Sequence, residues 1–292
     1  MIGIGRVQGL AFSTIALVIA SASVLMPPPS AETELIIAAA LILILGVPHG
    51  ALDLVFARKL HQIRTPWGWV VFGAAYAALA LAVVGVWSVA PSIFLVGFLL
   101  ISAVHFSADP APGTRIVSRI FYGGAVIFLP ALFHSSAVSQ LFTMLSGPAA
   151  SESVTFWLSL AAGPWLAALM VCAAFEAYRS WQTGLELLAV GLLCVSAPPL
   201  VGFSAFFCAM HSGRHILRTI MYAHPMKPLV VLGTGIAPMA IVLVGAVLGW
   251  RLLDGRSFDA RVVQLVFVGL AALTVPHMAL VERARLQNWQ SD

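Results

Sequence analysis

Ten apolar stretches, each close to the length needed to cross a bilayer, constrain this chain more than any other feature. A membrane-spanning helix needs about 20 predominantly apolar residues. Of the 292 residues, 61% are hydrophobic and only 9% are charged, whereas soluble domains carry about 25% charged residues. The sequence therefore predicts an all-α, polytopic transmembrane helix bundle. The predicted spans are 8–26, 34–57, 67–88, 91–108, 117–134, 154–175, 184–200, 201–223, 228–250 and 261–281.

The number of spans depends on how the apolar region 184–223 is divided. Pro198 and Pro199 interrupt it, so it forms either two spans or one span followed by a re-entrant segment. We predict ten helices, with eight or nine as the alternative. We interpret residues 1–292 as a single integral membrane domain, in which residues 1–30 form an additional N-terminal helix.

The loop charges predict the orientation of the chain. With ten spans and a cytoplasmic N-terminus, most basic residues fall on one side, and these are Arg6, Arg58, Lys59, Arg64, Arg115, Arg179, Arg218, Lys227, Arg283 and Arg285. Cytoplasmic loops carry an excess of Lys and Arg. We therefore expect both termini in the cytoplasm and a multi-pass location in the inner cell membrane. Since this asymmetry accounts for the net charge of +4, the charge does not indicate nucleic-acid binding.

Five histidines lie inside the predicted spans, where ionisable side chains are costly and usually have a function. They are His49, His105, His211, His215 and His277. All lie on spans predicted to run from outside to inside, and each motif precedes a basic cytoplasmic boundary by six to ten residues. This common depth favours a metal site or a catalytic site over histidines that hydrogen-bond separately to neighbouring helices.

The pair His211 and His215 is the most suggestive part of this pattern. Residues four apart project from the same face of a helix, so both imidazoles can reach one metal ion. The other three histidines, His61, His134 and His224, fall in loops or at the opposite end of a span. We interpret those three as structural or surface residues.

Two carboxylates and a proline motif accompany the histidines. Asp53 follows His49 by four residues, and Asp109 follows His105 by four residues, so each carboxylate is expected on the same helical face as its histidine. A metal-bound imidazole commonly donates its outer N–H to a carboxylate, so each aspartate is expected to support that histidine. His277 follows a proline, as His49 does, and is a candidate for an additional ligand or for a residue that supports the ligands. Arg214 is expected to pair with Asp53 or Asp109, or to extend toward the headgroups.

The residue types leave several functions open. Neutral imidazoles with few carboxylate ligands suit iron, copper, zinc or nickel. An apolar substrate could bind among neighbouring side chains, for which the candidates are Phe106, Tyr122, Phe203, Phe206, Phe207 and Met210. The alternative is a membrane transporter or proton relay, because intramembrane His and Asp residues beside proline-interrupted helices also occur in that class.

Four motifs in this order resemble one family of membrane enzymes. They are GVPHGALD at 46–53, AVHFSADP at 103–110, FxxxHSGRH at 207–215 and VPHMAL at 275–280. The sequence resembles the Brp/Blh family, the bacterial and archaeal membrane-bound β-carotene 15,15′-dioxygenases, over about residues 40–285. The helix at 8–26 lies outside the region of resemblance.

The resemblance implies a cofactor, a reaction and a ligand set. A member of this family is expected to use non-haem Fe(II) (Fe²⁺) and O2 to cleave the central double bond of β-carotene into two molecules of retinal. Iron ligation would fall to His49 of the PHG motif, His105 of the HF motif, and His211 and His215 of the HSxRH motif. The resemblance also implies a functional link to a retinal-binding rhodopsin.

Overall fold

The computed structural model describes residues 2–286, with side chains described for residues 5–284, and this part of the chain is helical throughout without strands. The α-helices are α1 (Ile2–Leu25), α2 (Ala31–Leu41), α3 (Pro48–Ala51), α4 (Asp53–His61), α5 (Pro66–Val89), α6 (Pro91–Phe106), α7 (Ile116–Phe128), α8 (Pro130–Phe133), α9 (Ser135–Ser146), α10 (Pro148–Arg179), α11 (Trp181–Ser196), α12 (Pro199–Ala205), α13 (Gly213–Tyr222), α14 (Pro228–Gly233), α15 (Ile236–Leu252) and α16 (Phe258–Leu286). Two π-helices, π1 (Ile42–Gly46) and π2 (Phe206–Ser212), continue α2 and α12.

Among the described residues, seven helical segments are long and apolar enough to cross a membrane: Gly5–Leu25, Ala31–His61, Pro66–Val89, Ile116–Phe133, Pro148–Arg179, Pro228–Leu252 and Phe258–Ala284. The helices α6 and α11 are apolar but shorter. The all-helical membrane class is therefore confirmed, and each predicted span overlaps a helical segment. The number of ten spans and the cytoplasmic location of both termini stay predictions.

Prolines mark where many helices begin. Pro66, Pro91, Pro148 and Pro228 each lie in the first turn of a helix, where the missing N–H costs no hydrogen bond. The same chemistry divides the region 184–223: α11 ends at Ser196, and α12 begins at Pro199. That region therefore contains two separate helical segments: α11, and the continuous run of α12, π2 and α13. The short helix α9 follows the predicted fifth span and was not anticipated.

The N-terminal helix packs into the bundle. α1 lies against α11, π2 and α13, and its Phe12 and Ala16 are almost fully buried beside Phe206 in the largest core cluster. Within a bilayer such contacts stabilise through close packing, because lipid tails are as apolar as the side chains.

The two π-helices lie against each other and bring distant parts of the chain together. A Cβ atom on Gly46 would lie 2.5 Å from Cε1 of Phe207, so only glycine allows this approach. π-helical turns are rare and are frequent at functional sites. Here they place His49, just after π1, beside His211 within π2.

Candidate metal centre

Five histidine rings from four stretches of the chain meet in one buried group, hereafter the histidine cluster. Its members are His49, His105, His211, His215 and His277. Ring centroids of neighbouring pairs lie between 4.5 Å (His105 to His211) and 5.4 Å (His49 to His215) apart. No member is more than 9% exposed. The structure thus brings together all five intramembrane histidines singled out by the sequence.

The donor atoms of this cluster fit a bound metal ion. Ligand atoms of His49, His105 and His277 all lie within 4.8 Å of one another. In addition, Nε2 of His211 and Nε2 of His277 are buried and have no hydrogen-bond partner among the described residues. Buried polar atoms are normally hydrogen-bonded, so unpartnered nitrogens in a group of imidazoles match the chemistry of a transition-metal site.

His277 is held from behind by Asp53. Its Nδ1 lies 2.7 Å from Oδ1 of Asp53, and Tyr76 donates a hydrogen bond of 3.0 Å to the other carboxylate oxygen. The expectation that Asp53 supports His49 is therefore wrong. Leu52, at φ −81° and ψ 1°, interrupts the helix between α3 and α4, so Asp53 does not share a helical face with His49.

His211 is held in the same way by Asp109. Its Nδ1 lies 3.0 and 3.1 Å from the two carboxylate oxygens, and Asp109 is only 4% exposed. The expectation that Asp109 supports His105 is also wrong. Since α6 ends at Phe106, Asp109 lies in the following loop and turns toward π2.

His49 is oriented by neutral partners. Its Nδ1 donates to the carbonyl oxygen of Gly46 at 2.6 Å and lies 2.9 Å from Oγ of Ser212. Ser212 donates to the same carbonyl oxygen at 3.2 Å. A carbonyl oxygen can only accept, so the proton is on Nδ1 and the lone pair is on Nε2. This tautomer leaves Nε2 of His49 suited to ligation.

Arg214 pairs with a residue that the sequence analysis did not consider. Its guanidinium makes two bonds of 2.8 Å to the carboxylate of Glu186 and one of 2.9 Å to the backbone oxygen of Asp109. Both side chains are nearly fully buried. The predicted pairing with an aspartate carboxylate and the alternative of an extension to the headgroups are therefore both wrong.

The candidate substrate-binding side chains lie at different distances from the cluster. Phe106 and Phe207 contact the ring of His211, with centroids 5.1 and 5.5 Å away, and Phe203 stacks on Phe207 at 5.4 Å. Phe206 lies behind Phe106, Tyr122 lies behind Phe206, and Met210 is completely buried in the core. Of the aromatic candidates, Phe106 and Phe207 are therefore the two whose rings contact a cluster histidine.

A small cavity of about 30 Å³ adjoins the cluster between α6, α13 and α16. His105, His211 and His215 line it, together with residues that include Arg218 and Glu282. A cavity of this volume is large enough to hold a water molecule. The remaining histidines, His61, His134 and His224, are not among the cluster's ring contacts; His134 precedes α9, and His61 ends α4.

Several supporting residues escaped the sequence analysis: Gly46, Tyr76, Glu186, Ser212 and Gln8. The sequence contains a recognisable signal for one of them, Glu186. Glu186 is a carboxylate inside the predicted span 184–200, and such residues usually have a buried partner. The others carry no distinctive pattern, because hydroxyls, amides and glycines are common in membrane helices.

The fold and the cluster define a class: an all-helical membrane protein with a buried site built from imidazoles. Comparison with known proteins gives the family. A profile of the β-carotene 15,15′-dioxygenase family matches residues 40–284. The chain belongs to this family, also called Brp/Blh, and is a carotenoid-cleaving dioxygenase of the membrane.

Two relatives match this chain over most of their length. A protein of an uncultured marine bacterium (66A03), named β-carotene 15,15′-dioxygenase, is 32% identical over 84% of this chain and 92% of its own length. A protein of Halobacterium salinarum, named probable β-carotene 15,15′-dioxygenase Blh, is 24% identical over 87% of this chain and 84% of its own length. No solved structure matches the chain.

Proposed function

We propose that this protein uses O2 to cleave the central 15,15′ double bond of β-carotene into two molecules of all-trans-retinal. The observation that carries the proposal is the histidine cluster, in which five imidazoles of a membrane-embedded chain meet in one buried place. The reaction itself is argued from the names of the family and of its relatives.

We further propose that Fe²⁺ is held by His49, His105, His211 and His215, and that His277 joins this ligand set. The place of His277 rests on two features: its ligand atom lies near those of His49 and His105, and its Nε2 has no hydrogen-bond partner among the described residues. Bound iron supplies the O2 chemistry that amino-acid side chains alone lack.

The protein's own groups would prepare the ligands before the metal binds. Asp109, Asp53 and the Gly46 carbonyl each accept a hydrogen bond from the Nδ1 of one histidine. Each bond fixes the ring orientation and leaves the lone pair on Nε2. Three of the five rings are therefore oriented with the lone pair of Nε2 available for ligation.

The apolar side chains would select and place the substrate. A C40 hydrocarbon offers no polar group for recognition, so its binding depends on shape and on contact with aromatic rings. Phe207, which stacks on His211 and is itself stacked by Phe203, would lie along the polyene. Because the cluster lies within a bundle of membrane helices, the substrate would enter from the lipid, and the retinal produced could pass to a retinal-binding rhodopsin.

The test combines a cellular assay with metal analysis. Expression in cells that accumulate β-carotene should bleach their colour and yield retinal, and purified protein should contain iron. We expect His211→Ala to abolish both cleavage and iron binding, whereas His134→Ala should change neither. Bleaching and iron content retained in His211→Ala would refute the proposed site. Persistent colour with a folded, metal-free wild type would favour the transporter or proton relay instead.

A further inference from the structure

A buried polar network lies directly behind the histidine cluster and joins four separate parts of the chain. At its centre is Arg214 of α13, which is 6% exposed. Its two terminal nitrogens bond to the two carboxylate oxygens of Glu186 on α11, each at 2.8 Å. Its Nε donates to Oε1 of Gln8 on α1 at 2.8 Å. Every side of the guanidinium is therefore engaged.

The network continues to the loop that carries Asp109. Arg214 donates to the backbone oxygen of Asp109 at 2.9 Å, and Arg218 donates to the same oxygen at 2.9 Å. The side chain of Asp109 in turn accepts from Nδ1 of His211. Two guanidinium groups thus fix the backbone of the residue whose carboxylate orients a cluster histidine.

The amide of Gln8 has a second set of contacts. Its Nε2 donates to the carbonyl oxygen of Ala209 at 2.9 Å and lies 3.4 Å from that of Met210. Both carbonyls belong to π2, the turn that carries His211. Gln8 of α1 therefore contacts the surroundings of His211 at two places: the side chain of Arg214 and the backbone of π2.

Gly9 allows α1 to lie close to the ion pair of Arg214 and Glu186. A Cβ atom on Gly9 would lie 2.7 Å from Oε2 of Glu186 and 3.0 Å from Nη2 of Arg214. Glycine at this position lets the backbone of α1 cover the ion pair. Since the family match begins at residue 40, this cover is supplied by a helix that lies outside the matched region.

Stability alone does not explain such a network. Burying a carboxylate and a guanidinium costs several kcal/mol per ion, and apolar replacements of buried ion pairs are often neutral or stabilising. A network of this kind is better explained by a group that it holds in place. Here the hydrogen bonds lead from Arg214 through Asp109 to His211.

We propose that Glu186, Arg214 and Gln8 position His211 for metal binding by fixing Asp109 and π2, and that α1 is an integral part of the metal centre. These are positioning residues, because none of them is a member of the histidine cluster. The inference rests on the proposed function, in that it requires a metal ion at the histidine cluster.

The experiment is a titration of metal-free, detergent-solubilised full-length protein with Co²⁺, followed by its visible spectrum. Loss of a hydrogen-bonding partner behind a metal ligand typically weakens metal affinity by about 10- to 100-fold. We expect Glu186→Gln to raise the Kd for Co²⁺ by about tenfold, the lower end of that range, and to alter the spectrum. Gln8→Met should raise the Kd by a smaller factor.

The chain offers matched controls for both substitutions. Glu176 is a buried carboxylate on α10 that accepts from Ser118, and Gln264 is a buried amide on α16 that donates to the carbonyl oxygen of Met144. Glu176→Gln and Gln264→Met change comparable buried contacts that involve neither a cluster histidine nor Asp109 nor π2. They should leave the Kd and the spectrum unchanged, even where they lower the unfolding temperature.

A double substitution separates positioning from general destabilisation. In an Asp109→Ala background the route through the Asp109 carboxylate is absent and only the route through Gln8 and π2 is left, so adding Glu186→Gln should raise the Kd by a clearly smaller factor than it does in the wild type. Independent effects that add in the double variant would overturn the proposal, as would an unchanged Kd in Glu186→Gln. If Asp109→Ala does not fold, Asp109→Asn serves as the background and should reduce the effect of Glu186→Gln. A wild type that binds no Co²⁺ would instead refute the proposed metal site.

Discussion

Different acceptors hold the outer nitrogens of three cluster histidines. His211 and His277 each donate to a carboxylate, whereas His49 donates to a carbonyl oxygen. A carboxylate acceptor raises the basicity of the imidazole as a ligand more than a neutral acceptor does. Of these three acceptors, the two aspartates are therefore the ones whose loss should weaken metal binding most.

Asp53→Asn tests whether the carboxylate that accepts from His277 strengthens metal binding. The substitution preserves shape but removes the charge that holds Nδ1 of His277, so metal affinity should fall by about 10- to 100-fold. Metal content after dialysis against a weak chelator measures the change. Affinity equal to that of the wild type would show that His277 is not a ligand.

Tyr76→Phe tests the contribution of the residue that donates a hydrogen bond to Asp53. The hydroxyl of Tyr76 donates to Asp53 at 3.0 Å and lies 3.3 Å from the carbonyl oxygen of Leu273. Its removal should weaken metal binding less than Asp53→Asn does, because the carboxylate itself remains. Tyr178→Phe is the matched control, since Tyr178 is 91% exposed; it should leave metal content unchanged. A larger loss in Tyr76→Phe than in Asp53→Asn would contradict this order.

The aspartates also show where sequence reasoning stops at the residue scale. A spacing of four predicts a shared face only if the helix is continuous, and it is interrupted at Leu52 and ends at Phe106. The five histidines were predictable because ionisable side chains are conspicuous in apolar segments. The aspartate partners of His211 and His277 were not, since each of these two pairings joins residues more than 100 apart in sequence.

At the scale of elements, the contact between π1 and π2 determines how the cluster is assembled. The sequence predicted helices on both sides of this contact but not the π-helical turns. A π-turn adds one residue to a helical turn, and its carbonyl groups need partners from outside the regular ladder. The Gly46 and Ala209 carbonyls find theirs in Ser212 and Gln8, which no local pattern reveals.

Gly46→Ala should therefore damage the site more than an ordinary glycine substitution. The added Cβ would lie 2.5 Å from Cε1 of Phe207, and relief of such overpacking typically costs about 1–3 kcal/mol. Since Gly46 also provides the acceptor for His49, we expect weaker metal binding and slower cleavage. Retinal formation and thermal unfolding in detergent measure both effects.

Gly73→Ala is the control for this substitution. Gly73 lies on α5, and an added Cβ would meet nothing within 4 Å. Alanine is the better helix former by up to about 1 kcal/mol, so this variant should be as stable as the wild type or slightly more stable. Equal effects of the two substitutions would show that the contact between the π-helices is not needed for the site.

At the scale of the whole molecule, contacts join loop regions that the charge pattern assigns to the same side. Lys59 lies over the ring of Tyr222 and donates to its carbonyl oxygen, and Arg179 donates to the carbonyl oxygen of Gly113 at 3.2 Å. On the side with fewer basic residues, Arg256 lies over the ring of Trp87. These contacts are consistent with the predicted topology, in which the first two regions face the cytoplasm.

Thiol labelling of intact cells can test this orientation. The native cysteines are buried or half-buried, so a single added cysteine at an exposed loop position should dominate the reaction with a membrane-impermeant reagent. Pro28 and Arg64 are exposed and lie in the loops at opposite ends of the segment Ala31–His61. Because Lys and Arg concentrate in cytoplasmic loops, Pro28→Cys should react in intact cells, and Arg64→Cys should react only after the membrane is permeabilised. The reverse pattern would place the histidine cluster near the outer face, where a retinal product and the metal would exchange with a different compartment.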